Sequence, residues 1–167
     1  MHVACLSGTS LVQCVRNPNS VKSREPFLCE LQDIKCTDWV MDADGGVAQV
    51  KCVRQCHDWN PLWTAAHDVI CIEPNTFEPN VPGPRALFVD PLHRICTPSE
   101  WSTEGPAALR PAGLYIGVPG VKVHKSWSDV VECDGRPIKR FELELYTQTP
   151  RRDPGVFLAS NMIVQIG

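Results

Sequence analysis

The chemistry open to this chain lies in its cysteines and histidines. The cysteines stand at 5, 14, 29, 36, 52, 56, 71, 96 and 133, and the histidines at 2, 57, 67, 93 and 124. The densest group is Cys52, Cys56 and His57, with Cys36 or Cys29 as further donors. Thiolates and an imidazole form the donor set of a zinc site. The spacing opposes that reading. Cys52 and Cys56 lie about 13 Å apart if both sit in one extended strand, whereas zinc holds each sulfur at about 2.3 Å. The site would form only if the strand ended near Val53 and the chain turned back. No pair of CxxC knuckles occurs. No metal or other cofactor is therefore expected, and Cys52, Cys56 and His57 are the alternative ligand set. Most of the cysteines read as buried thiols or disulfides.

A cysteine nucleophile would need a histidine beside it and a carboxylate to orient that histidine. His57, His67, His93 and His124, with Asp58 or Asp68, supply the types. Such triads are defined by geometry and not by sequence position, and none of the short hydrolase or peptidase signatures is present. No catalytic residue is assigned. Phosphate sites fare no better. Gly45-Gly46 falls at a hairpin tip, and Gly117-Val118-Pro119-Gly120 lacks the glycine spacing and the following helix of a phosphate loop. Glu142 and Glu144 alternate on one strand face, the pattern of a solvated face.

The elements that must carry these residues are mostly strands. From Cys36 to Cys56 the chain reads as a β-hairpin folded over Asp44-Gly45, because a tight turn between apolar runs needs positive φ at its centre. A two-residue turn sets Met41 against Ala48, Trp39 against Val50 and Thr37 against Cys52. Trp39 then points to the core, Asp38 faces Lys51, and Cys36 points away from Cys52. A loop longer by one residue would place a bulge near Gly46. Further strands are read at 3–6, 11–15, 27–31, 86–89, 114–118, 121–123, 130–133, 141–147, 156–159 and 162–166, with Asp134-Gly135 as a second hairpin turn. Ile138 is out of phase with Phe141, Leu143 and Leu145, which places a bulge near Lys139-Arg140. Asn60-Pro61 opens a short helix over about 61–68, and Thr97-Pro98-Ser99-Glu100 opens another that Gly105-Pro106 stops. Between about 74 and 111 the chain makes a proline-rich excursion. Only Ala86-Leu87-Phe88-Val89 looks like a strand there, since proline removes ladder donors.

The expected fold is all-β, a sandwich or barrel of about nine or ten short strands with two short helical inserts. Its 167 residues form one domain. Charged residues make up 21% of the chain and the net charge is −3. With basic residues clustered only at Lys139-Arg140 and Arg151-Arg152, a phosphate-reading nucleic-acid surface is excluded. No run is long and apolar enough for a membrane helix. The first residues lack the basic and apolar regions of a secretory signal, so thiols in a reducing, cytoplasmic setting or a cytosolically assembled particle are favoured over a secreted, disulfide-stapled chain. Trp59, Trp63 and Trp101 are the candidate interface anchors, because exposed aromatics dominate binding surfaces. The expected role is non-enzymatic: a structural or binding protein that meets other protein subunits in a larger assembly. Examples are a minor capsid or decoration protein and a peripheral complex subunit. The alternatives are a secreted disulfide-stabilised β-sandwich effector or ligand-binding module and, after it, a zinc- or cysteine-dependent enzyme.

Overall fold

The structure is a computed structural model. It describes residues 5–16, 25–56, 69–73, 87–89, 92–101, 104–105, 108–115, 122–126, 132–133, 136–137, 139–146 and 154–166. The fold is all-β. The strands are β1 (Leu6–Ser7), β2 (Leu11–Val15), β3 (Phe27–Glu30), β4 (Trp39–Met41), β5 (Val47–Gln55), β6 (Val69–Glu73), β7 (Leu87–Val89) and β8 (Arg94–Cys96). They continue with β9 (Arg110–Pro111), β10 (Lys122–Ser126), β11 (Glu132–Cys133), β12 (Arg136–Pro137), β13 (Arg140–Leu145), β14 (Gly155–Phe157) and β15 (Ile163–Gln165). A six-stranded antiparallel sheet has the order β1-β13-β5-β4-β2-β3. A four-stranded sheet runs β14-β15-β8-β9, a three-stranded one β10-β6-β7, and β11 pairs with β12. Single bridges, Val12 to Leu158 and Asp42 to Val156, tie the four-stranded sheet to β2 and to the end of β4.

The hairpin of β4 and β5 forms, but its register is one residue away from the two-residue turn. Trp39 pairs with Gln49, Val40 with Ala48 and Met41 with Val47. The cause is local. Asp42 accepts from the Gly45 amide through its carbonyl at 2.9 Å. Its carboxylate takes the amides of Asp44 and Gly46 at 3.0 and 3.1 Å. Gly45 alone has positive φ, at 81°, which makes a three-residue loop ending in a left-handed glycine. Because side chains alternate, the shift exchanges the faces. Val40 and Val50 are fully buried and Trp39 is only half-buried. The expectation that Trp39 enters the core is corrected accordingly. Asp38 does not pair with Lys51. Its carboxylate accepts from the Lys35 amide at 2.9 Å instead.

Just before β4 the chain carries a second irregularity. Thr37 sits at φ 78°. Its amide donates to Val50 O, while Val50 N donates to Asp38 O. Two residues thus oppose one, the pattern of a bulge that glycine normally occupies. A β-branched residue there is strained. The bulge near Lys139-Arg140 is not where the structure places it. In the β13–β5 pair the register shifts between Glu144 and Leu145, which pair with Cys52 and Val50 and leave Lys51 over.

Two clusters form the core. The larger joins Leu6, Val12, Val40, Val50 and Leu143 of the six-stranded sheet to Val156, Val164 and Ile95 of the four-stranded one, with Tyr115 among them. The Tyr115 hydroxyl donates to Ile95 O at 2.7 Å, satisfying its polar end. Ala43, Cys96, Leu109, Phe157 and Ile163 form the smaller cluster. The four-stranded sheet is therefore covered on both faces, which is why 156–166 alternates so poorly. Gly155 is needed because a Cβ there would meet Val164 O at 2.9 Å.

The helical inserts are corrected where they can be seen. At Pro98–Glu100 there is one 3-10 turn and no α-helix. The insert at 61–68 lies outside the described residues. Leu114 and Tyr115, expected to open the strand at 114–118, lie instead in the 3-10 turn Ala112–Tyr115. The proline-rich excursion contributes more strand than expected, because Arg94–Cys96 is free of proline and pairs on both sides.

Replacing Thr37 with Gly relieves a left-handed β-branched residue and should stabilise the fold by about 0.5–1 kcal/mol. Gly45→Ala should destabilise it by about 1 kcal/mol. Urea unfolding of the two variants against the parent checks both signs.

Candidate binding edge and cysteine sites

β3 ends the six-stranded sheet, and no described strand pairs with its outer side. At the other end β7 lies beside β1, where Phe88 N donates to Ser7 Oγ at 3.4 Å. The sequence places β3 by Pro26 before it and by the 3-10 turn Leu31–Asp33 after it. Leu31 N donates to Ser10 O at 2.8 Å. With the register Val12–Cys29 and Cys14–Phe27, this fixes which residues bond to β2, since bonded pairs alternate along an antiparallel ladder. The backbone N–H and C=O of Leu28 therefore face outward. The side chains here are also open, Leu28 being 39% exposed and Phe27 37%. The Arg16 guanidinium lies over the Phe27 ring at 5.0 Å. The arrangement offers main-chain bonds and two apolar side chains to an added strand.

The outward face of β5 and β13 is charged. Arg54 pairs across the ladder with Glu142, and Cys52 with Glu144. The bulge at Lys51 turns its ammonium to Glu144 as well, at 3.3 Å, and Arg54 reaches the same carboxylate at 3.1 Å. The Cys52 thiol lies 3.4 Å from the Glu144 carboxylate. These contacts, the Cys52 hydrogen bond first and Lys51 next, hold the Glu144 carboxyl below its ordinary range. All the partners are solvated, so the network contributes little to stability. Glu142 and Glu144 share the face that their alternation implied.

Cys5 and Cys56 form a disulfide. It joins the chain just before β1 to the chain just after β5, across the intervening β13. Cys56 is thereby removed from the alternative ligand set, as its sulfur has no lone thiolate to give a metal. His57, Trp59 and Trp63 lie outside the described residues. Among the described residues no group of three or more His, Cys, Asp or Glu could hold a metal ion. The remaining described thiols are Cys14, Cys29, Cys36, Cys52 and Cys96. Burial pushes Cys14 up to about 12. Burial is also the main reason that Cys29, Cys52 and Cys96 are raised. A nucleophilic cysteine needs the opposite shift. The one histidine whose side chain is described, His93, is buried and bonds through Nε2 to Gln165 O at 2.8 Å.

Trp101 is half-buried against the smaller cluster. Its indole meets Phe157 edge-on at 5.9 Å and its N–H points to Cys96 Sγ at 3.1 Å. Cys36 is exposed, and its charge is the smallest of the influences that act on Cys52. Phe27 and Leu28 were not singled out from the sequence. Their run reads as a strand, but only the sheet order shows it to be an edge. The Cys5–Cys56 pairing spans 51 residues, and no local signal marks it.

No helix among the described residues is long and apolar enough to cross a membrane. Comparison with protein-family models, with curated proteins and with solved structures finds no match.

Two outcomes follow from these environments. In the folded protein an alkylating reagent should label Cys36 first and reach Cys14 and Cys96 only on unfolding, as peptide mapping would read. Glu144→Gln should lower the thermal midpoint slightly at neutral pH. Because the folded carboxyl is depressed, its contribution is present above the unfolded pKa of about 4.3 and disappears as pH falls through the folded value. The difference between variant and parent should therefore vanish in acid.

Proposed function

We propose that this protein is a non-enzymatic binding domain that joins other protein subunits by accepting an extended segment at the outer edge of β3. The observation that carries this reading is the outward Leu28 backbone, flanked by the exposed side chains of Phe27 and Leu28. Strand addition draws affinity from the main-chain bonds and selectivity from alternate side chains. The raised thiols support a role without nucleophilic chemistry. A minor capsid or decoration protein would use such an edge, as would a peripheral subunit of a cellular complex.

The Cys5–Cys56 disulfide favours a second reading, a secreted disulfide-stabilised β-sandwich effector or ligand-binding module. Disulfides persist in oxidising compartments and are rare in reducing ones. The two readings share the docking edge and differ in where it works. A free-thiol count on protein from its native source, denatured without reductant, separates them. Seven thiols or fewer, with Cys5 and Cys56 bridged, support the secreted form, and nine support the reducing one.

Leu28→Pro tests the edge. It removes the outward donor and leaves the ladder donors of Phe27 and Cys29 in place, so the fold should lose no more than about 1 kcal/mol. Native mass spectrometry of the protein from its source should show the parent in a complex with other chains and the variant without them. A variant that is folded and still fully complexed would refute docking at this edge.

A further inference from the structure

We propose that Cys14 and Cys29 are a dithiol that a small-molecule disulfide oxidises to an intramolecular bridge, fastening the edge strand β3 to β2. The geometry rests on the ladder. Val12 pairs with Cys29 and Cys14 with Phe27, so Cys14 and Cys29 are diagonal neighbours on one face. That is the face turned to the larger core cluster, where Cys14 is buried and Cys29 packs from the rim. The charge of a Cys29 thiolate is felt by Cys14, while the thiols themselves donate to main-chain carbonyls, Cys14 to Val12 O at 3.6 Å and Cys29 to Glu30 O at 3.7 Å. Diagonal neighbours on one face stand about 7–8 Å apart, somewhat less at Cβ, so forming an S–S bond of about 2.05 Å draws β3 a little closer to β2. The inference does not depend on docking at β3.

The chemistry is two exchanges. The Cys29 thiol is the more exposed of the pair, so it is the one an external disulfide reaches first. Its thiolate attacks one sulfur of the external disulfide, forming a mixed disulfide and releasing one small thiol. The Cys14 thiolate then attacks the Cys29 sulfur, forming the protein bridge and releasing the second small thiol. Two protein thiols lose two protons and two electrons, and the external disulfide is reduced to two thiols. Cys14 is held up to about 12 by burial and then by the charges of Cys29 and Asp38. Cys29 is raised by burial and then by Asp33, with Asp38 and Glu30 adding to it. The exchange is therefore slow near neutrality and gains about tenfold per pH unit as the thiolate fraction grows.

The bridge would complement the one already present. Cys5–Cys56 secures the β1 end of the six-stranded sheet. Cys14–Cys29 would secure the β3 end.

The test uses the full chain, folded, with glutathione disulfide as the oxidant. Samples are quenched in acid, alkylated and digested without reductant. The expected product is a cross-linked pair of peptides carrying Cys14 and Cys29, lighter by two hydrogens than the unlinked pair. It should form faster as pH rises from about 7 to 9. Hydrogen exchange in β3 should slow on the order of a hundredfold, the scale set by closing a short loop. Cys29→Ser should abolish the linked peptides and leave the slower exchange unattained, while Cys52→Ser should change neither. Three results would overturn the inference. In one, Cys29 persists as a stable mixed disulfide with Cys14 free. In another, both thiols are alkylated in protein that remains folded. In the third, the linkage appears only after the chain has been denatured.

Discussion

The pairing of β13 with β5 is the constraint on which the other contacts depend. Arg54 and Glu144, neighbours in that pair, are 90 residues apart in the chain. Closing so long a loop is entropically unfavourable, and burial on the inner face must offset it. Leu143 is fully buried there, and Phe141, Leu145 and Val53 pack against the same cluster. Once β13 is seated, β1 has a partner and Gly8 N can reach Lys139 O. The Cys5–Cys56 disulfide then ties the chain on either side of β13. Such a bond lowers the entropy of the unfolded chain in proportion to the logarithm of the loop it closes.

That central pair also explains the distribution of chemistry over the molecule. Its inner face is apolar and its outer face holds the ion pairs, so neither side concentrates a reactive group. Three of the described thiols lie in one of two surroundings. Cys14 and Cys96 are buried in the clusters, and Cys52 sits beside a carboxylate. Both surroundings disfavour the thiolate. The histidine that can be placed is bonded to backbone. The surface features that remain open are geometric, chiefly the outer side of β3, where an added strand would extend a sheet already organised by the core. The proposal that the protein works through docking draws on this contrast among the described residues.

The strands of the hairpin at 39–55, the strand at 87–89 and the alternating run at 140–145 were legible because each carries its own periodicity or turn residues. The hairpin register was not. Asp42 could have been read as a turn-capping side chain, and its three acceptances account for the longer loop. A single-residue difference there reverses which of Trp39 and Val40 enters the core. Arg94–Cys96 was missed because prolines on both sides dominated the pattern, although none lies within the strand. Among the candidate site residues, the shared face of Glu142 and Glu144 was legible from alternation. The edge position of Phe27 and Leu28 was not, because a strand's place in a sheet depends on pairings distant in sequence.

By itself, the sequence determined the all-β class and the faces of the alternating run at 140–145, since alternation acts over a few residues. It also set the low net charge and the number of cysteines. The tertiary structure alone decided which cysteines meet, which strand lies at an edge and which face of the hairpin is buried. Those outcomes depend on contacts between segments tens of residues apart, and no local pattern encodes the free energy of bringing them together.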